Sequence, residues 1–336
     1  MPSMRTVAKK LNVSATTVSR ALNNKPGISQ ATREQVLKAM QEIGYDRKVG
    51  LRNSRYLGFV YPPGSFKTTL GNYHAALMGG IRSAISSQRF DFAMVDLLSD
   101  KESNENYTQY FTRKELRGVI MQARPEDFHI VKEISAEGFP IVLVGSQGVD
   151  NNHSVNWVAC DSREPTRQAV EYLINIGHRK ISFSVGNWHS TDIEDRLEGY
   201  KDALKNAGIP FDPSLVYRLN PDVNAGIGLV HQIMSQPEPP TAAVFTNPYA
   251  TFGALRACRE MNISVPGDLS ILGFDDYQTR FMANPVYSSV CQDAYQLGYD
   301  AGTALLQVIT GKNTKPIEII REAVFEVHGT TGAPRS

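Results

Sequence analysis

From residue 57 onward, short apolar runs recur with room for about one helix between neighbours. LGFVYP (57–62), FDFAMVDLL (90–98), RGVIMQA (117–123) and PIVLVGS (140–146) form a first set. VNWVACD (155–161), KISFSVG (180–186), LVYRLN (215–220), AAVFTN (242–247) and LSILGFDD (269–276) form a second. Strands alternating with helical patterns at this spacing predict parallel sheets with helices on both faces. Nine such strands are more than one compact unit of this length holds, so an α/β body of two Rossmann-like lobes is expected. The first lobe is predicted to take about 57–156 plus 288–316, and the second about 157–287 plus 317–330, with the late segments SSVCQD (288–293) and IEIIREAVFEV (317–327) crossing back to complete them.

The first 55 residues are of another kind. They carry eleven Lys/Arg against three acids, Glu34, Glu42 and Asp46, although the whole chain of 336 residues is close to neutral at +1. A basic head on an acidic body predicts a polyanionic partner for the head alone; a solvated basic face is the plainer alternative. Three short helices are legible there. Ser3 caps the first, with Met4, Val7, Ala8 and Leu11 at helical spacing. Asn12-Val13 makes a turn, because Asn tolerates left-handed backbone. Ser14 caps a second helix whose inward stripe is Val18, Ala21 and Leu22, and Ser29 begins a third with Val36, Leu37, Met40 and Ile43 inward, ended by Gly44. Two helices joined by a tight turn form an all-α helix-turn-helix head. Ala15, Thr16, Ser19 and Arg20 then project outward on a helix whose leading side chains are short enough to enter a major groove. Ser14, Thr17, Ser19 and the helix N-terminal amides suit phosphate oxygens. A small helical bundle with one polar face would show part of the same pattern.

Other function classes find little support. A hydrophobic content of 41% with 21% charge describes a globular chain, and the longest apolar run, FPIVLVG (139–145), is too short to span a bilayer. The N-terminus has no apolar signal region, and the three cysteines show no CxxC spacing, so a reduced cytoplasm is the expected home. No HExxH, GxxxxGK[ST] or GxSxG occurs. No metal, cofactor or catalytic residues are therefore expected.

The segment TVAKKLNVSATTVSRALNNKPGISQATREQVLKAMQEIGY (6–45) closely resembles the DNA-binding head of LacI/GalR-type transcriptional regulators. EYLINIGHRKISF (171–183), DRLEGYKDAL (195–204), FTNPYATFGALRAC (245–258), VPGDLSILGFDD (265–276) and QLGYDAGTALLQVITG (296–311) continue the resemblance over nearly the whole chain. It implies a DNA-binding head (1–46), a hinge (47–56) and an effector-binding, dimerising body (57–336) similar to periplasmic sugar-binding proteins. It also implies a homodimer on a pseudo-palindromic double-stranded DNA operator, with Ala15, Thr16 and Arg20 facing bases and Ser14, Thr17 and Ser19 facing phosphates. The implied ligand is a small polar effector, carbohydrate in character. Arg196 in DRLEGY, Asn247 in FTNP and Asp275 in GFDD stand at effector-contact positions of the family. Ser146 ends a strand on the same side, and Tyr73 offers an apolar wall near the start of the first body helix. Plainer readings stand beside these: Arg196 has Glu194 and Glu198 within helical reach, Asn247 ends a strand, and Asp276 is a natural N-cap.

The sequence departs from the family pattern just after Tyr45. No Pro-Asn pair is present, the link to the first strand is shorter, and Ser54 stands near the place of the leucine that wedges into the minor groove. Leu51 is the substitute at hand, and Arg47, Lys48, Arg52 and Arg55 supply phosphate contacts that carry no sequence information. The departure leaves a second function class open, a DNA-binding architectural protein that needs no ligand.

Overall fold

The structure, a computed structural model, describes residues 4–22, 27–43, 54–61, 71–148, 155–187, 190–276, 278–311 and 315–335. Ser3, Gly44 and the hinge residues Arg47, Lys48, Leu51 and Arg52 lie outside the described residues, as do the side chains of Leu22, Leu37 and Ile43.

The head contains three helices, α1 (Met4–Leu11), α2 (Ala15–Leu22) and α3 (Gln30–Ile43). Val7, Ala8, Val18, Ala21, Val36, Ala39 and Met40 are buried together, with Leu11, Val13 and Ile28 packed against them. Asn12 takes the left-handed conformation (φ 53°) that lets α1 and α2 meet at an angle across three residues. Ser29 caps α3, its Oγ accepting from Thr32 N–H at 3.1 Å.

The body begins with β1 (Tyr56–Val60), α4 (Asn72–Ser86), β2 (Asp91–Val95), α5 (Leu97–Asp100), α6 (Tyr107–Arg113), β3 (Leu116–Met121), α7 (Phe128–Ala136), β4 (Ile141–Val144) and β5 (Asn156–Asp161). It continues with α8 (Arg163–Asn175), β6 (Ile181–Gly186), α9 (Thr191–Asn206), β7 (Val216–Leu219), α10 (Val223–Met234), β8 (Ala242–Phe245), α11 (Pro248–Glu260) and β9 (Ser270–Asp275). β10 (Ser288–Cys291), α12 (Ala294–Thr310), β11 (Glu318–Glu322) and β12 (Val324–Glu326) complete it. Two six-stranded sheets result, in the orders β11-β5-β4-β3-β1-β2 and β12-β10-β9-β8-β6-β7. Every pair is parallel except β10 with β12. The central strands are mostly apolar and buried nearly throughout because helices cover both faces.

Three segments differ from the expected division. The run 155–161 belongs to the first sheet, where β5 pairs with β4, Leu143 opposite Trp157. The run 288–291 belongs to the second sheet, beside β9, and not to the first. The segment 317–327 is divided: β11 pairs with β5 in the first lobe, and β12 pairs with β10 in the second. β5 is a buried parallel strand, which reads as the same apolar run in either sheet, so periodicity alone does not assign it; the exposed β11 carries no apolar pattern that would assign it either. The chain consequently passes between the lobes three times, after β5, after β10 and between β11 and β12, and the strands at these crossings are neighbours in their sheets. α4 and α12 cover one face of the first lobe at close range. A Cβ on Gly298 would lie 2.0 Å from the Leu77 carbonyl oxygen, and one on Gly80 would lie 1.9 Å from that of Tyr295.

Candidate functional site

The head's candidate surface is the exposed side of α2. Val18 and Ala21 are held inward by packing, and that fixes the rotation of the helix. Ala15, Thr16 and Arg20 are consequently exposed, while Thr17 and Ser19 are partly covered. Ser14 closes the helix start: its Oγ accepts from Thr17 N–H at 2.9 Å and shares a 2.8 Å hydrogen bond with Thr17 Oγ1. The remaining first-turn amides of α2 face outward beside Ala15 and Thr16, the arrangement that attracts phosphate oxygen. Lys9 and Lys10 end α1, where Lys10 meets Glu42 of α3 at 2.7 Å.

The second candidate surface lies between the lobes, at the carboxyl ends of the strands. On the second lobe, Arg196 projects from α9 and is 6% exposed. Its Nη1 donates to the Thr246 carbonyl at 3.1 Å, its Nη2 lies 3.3 Å from Asp192, and its guanidinium covers the Phe274 ring at 4.4 Å. Its Nε is buried without a hydrogen-bond partner among the described residues. The expected alternatives do not form, since Glu194 faces Arg218 and Glu198 pairs with Lys201. Asn247 caps α11, its Oδ1 accepting from Tyr249 and Ala250 N–H at 2.9 and 3.2 Å. Its plainer role is therefore real, and only its amide nitrogen is left for a ligand.

The two neighbouring aspartates stand in different surroundings. Asp275 is fully buried, with Oδ1 accepting from Thr279 N–H at 2.8 Å and Oδ2 held by Arg280 at 2.5 Å. Arg280 also pairs with Glu326 of β12 at 2.7 Å, so Asp275 ties the end of β9 to the sheet edge. Asp276 is only partly covered and accepts from Gln292 Nε2 at 2.9 Å. Its surroundings include Arg196 and Asp192, and burial pushes its carboxyl up to about 6. Asp275 is the last strand residue, so the carboxylate after it turns to the opposite side.

On the first lobe, Tyr73 and His74 open α4. Tyr73 packs edge-on against His74, and its hydroxyl would lie 3.2 Å from a Cβ on Gly145, which has φ 82°. Burial, with Asp192 and Asp276 of the other lobe nearby, raises the Tyr73 phenol and places it between the lobes. Across the same seam, Asn72 Nδ2 donates to Thr279 Oγ1 at 3.4 Å. His74 Nε2 donates to Gln122 Oε1 at 3.0 Å, and its ring lies 4.8 Å from that of Tyr61. His74 was not singled out in the sequence, and one histidine on an amphipathic helix gave no reason to single it out. Ser146, expected in the cleft, is 3% exposed and donates to the Ala123 carbonyl, joining two strand ends. Among the described residues no group of three His, Cys, Asp or Glu side chains gathers to hold a metal ion.

Residues 3–48 match the family model described as bacterial regulatory proteins, lacI family, and residues 170–328 match that of the periplasmic binding protein-like domain. A lacI-type DNA-binding head is thus followed by a periplasmic-binding-protein-like domain, and the relatives that match over nearly the whole chain are lacI-family regulators. It is 27% identical over 326 residues to the transcriptional regulator CelR of Thermobifida fusca, covering 96% of each chain. It is likewise 27% identical over 336 residues to the repressor CytR of Escherichia coli K12, covering 98% of this chain and 96% of that one. A solved CelR–cellobiose complex superposes with a TM-score of 0.71 at 26% identity, over 98% of this chain and all of that one. The lac repressor dimer bound to operator matches in fold, with a TM-score of 0.68 at 22% identity over 99% of both chains.

Two features of this chain stand out against that background. Ser54, near the place of the family's wedging leucine, donates to the Glu115 carbonyl and so is tied to the first lobe. The cleft's second-lobe wall carries its charges as Arg196 flanked by Asp192 and Asp276, and its first-lobe wall is built from Tyr73, His74, Tyr61 and Gln122.

Proposed function

We propose that this protein is a homodimeric, sequence-specific transcriptional repressor whose operator affinity is set by a small polar effector, carbohydrate in character, held between the lobes. The observation that carries the reading is the pairing of two surfaces in one chain: a capped, exposed polar helix on a basic head, and a two-lobed body whose cleft buries an arginine with one unmet donor. In the head, Thr16 and Arg20 read base edges, and Ala15 meets a thymine methyl group or allows close approach. Thr17, Ser19 and the α2 amides position the helix on phosphates; Ser14 contributes mainly by capping. In the cleft, Arg196, Asn247 and Asp276 bind the effector's polar groups and Tyr73 supplies a wall. Asp276 takes the place that sequence position gave to Asp275.

The coupling works by differential affinity. An effector that binds one lobe arrangement better shifts the protein towards it, and operator and effector change each other's affinity by the same factor. Action by binding fits the chemistry beside the cleft: the Cys160 thiol, within the field of Arg196, is pushed up to about 12 by burial and is no nucleophile at neutral pH. The resemblance of head and body to cytoplasmic regulators supports action in the cytoplasm.

The test is selection of bound duplexes from a random pool, followed by competition between the selected palindrome and a scrambled one. A preference of about 10³-fold or more is expected, with Arg20→Ala relaxing it. Equal affinity for the two duplexes overturns the reading in favour of a ligand-independent architectural protein.

A further inference from the structure

Each lobe holds, beside the cleft, a buried atom whose hydrogen-bonding capacity is unmet among the described residues. On the second lobe it is Arg196 Nε, a donor; on the first it is His74 Nδ1. The protonation of the His74 ring is set by its neighbour. Gln122 Oε1 has only lone pairs to offer, so the 3.0 Å contact requires a proton on Nε2. The imidazole is neutral, because burial pulls its proton affinity down to about 4. Nδ1 is thus an acceptor, and a buried acceptor without a donor is a cost that folded proteins rarely carry. Its ring is held from two sides by Tyr61 and Tyr73, so it does not turn away to find water.

We infer that His74 is an effector-binding residue that accepts a hydrogen bond at Nδ1, with Gln122 as the positioning residue that fixes its tautomer. The ligand class follows. It carries a neutral O–H or N–H donor towards the first lobe and an acceptor towards Arg196, which a polyhydroxylated molecule does with one type of group. A carboxylate or phosphate in its place would offer Nδ1 no proton and would stand beside Asp192 and Asp276. This inference rests on the cleft being the effector site. It goes further by assigning the first-lobe contact and by separating neutral sugars from acidic ones.

The experiment is isothermal titration of the full chain with D-glucose, D-ribose and cellobiose, and with D-gluconate and D-glucuronate as acidic counterparts. Wild type, His74→Phe, His74→Gln and Gln122→Leu are compared, each first shown to be folded by its unfolding midpoint. A neutral sugar is expected to bind, with about 10–100-fold loss in His74→Phe, a smaller loss in Gln122→Leu, and partial recovery in His74→Gln, whose amide oxygen again accepts. Equal affinity in wild type and His74→Phe overturns the role of His74 and leaves the effector cleft standing, provided Arg196→Ala still abolishes binding. Preference for the sugar acids overturns the ligand class. Binding unaffected by Arg196→Ala, or no binding of any probe to wild type, overturns the carbohydrate cleft and this inference with it.

Discussion

Asp275 and Asp276 share a residue type and a peptide bond, yet they make opposite demands on the protein. Removing the partner of Asp275 strands a charge inside the second lobe. Arg280→Met is therefore expected to cost about 3–5 kcal/mol, read as a shift in the denaturant midpoint, whereas Asp276→Asn should weaken effector binding without lowering that midpoint at neutral pH. The cleft also predicts a pH profile. Asp276 has a carboxyl near 6 in the folded chain against an ordinary 3.8, so the folded state holds more protons over that window and stability falls as pH rises through it. His74, near 4 against an ordinary 6.5, does the reverse: the unfolded state holds the extra proton, and stability rises from about pH 4 to 6.5. The two slopes oppose each other in wild type. His74→Gln should leave the falling slope exposed between pH 4 and 6, and Asp276→Asn should steepen the acid loss; unchanged profiles in both variants would contradict the burial of these groups. The burial of Arg196 beside the cleft was legible in the sequence because its chemistry and its position agreed. The different surroundings of the adjacent aspartates were not, since they depend on where a strand ends by one residue.

The helices of the head were legible almost throughout, because capping and packing signals coincide in short, local stretches. Ser14→Ala removes the acceptor for Thr17 N–H and should cost the head about 1 kcal/mol, measured as a lowered midpoint of the head's unfolding with weaker operator binding. Strand pairing was less legible. β5, β10 and β11 lie in the lobe opposite to the one their place in the sequence suggests, since a strand's own run does not say which sheet its hydrogen bonds join. Helix contact distance was invisible too, though its consequence is sharp. Gly298 lets α12 lie against the α4 backbone, and Gly298→Ala is expected to destabilise by about 3 kcal/mol, seen as a fall in the thermal midpoint. Tolerance of alanine there would mean that the helices stand farther apart.

Taken together, the lobes are two sheets threaded by one chain. β1 to β5 with their helices, α12 and β11 build the first, and α8 to β10 with β12 build the second. With three crossings side by side, the lobes have a short common axis to turn about. Asn72–Thr279 and Tyr73 meet on the side where an effector would hold them together. The alternation of strands and helices made this two-lobed plan readable at once, while the order of the crossings came only from the pairing of β11 and β12. That order also bears on synthesis. A chain emerging from the ribosome has made every interior strand of both sheets by residue 291, but β11 and β12, the last strands to appear, each close one sheet edge. Neither lobe is finished while the other is still being made, so the nascent protein carries two open β-edges until nearly its final turn of translation.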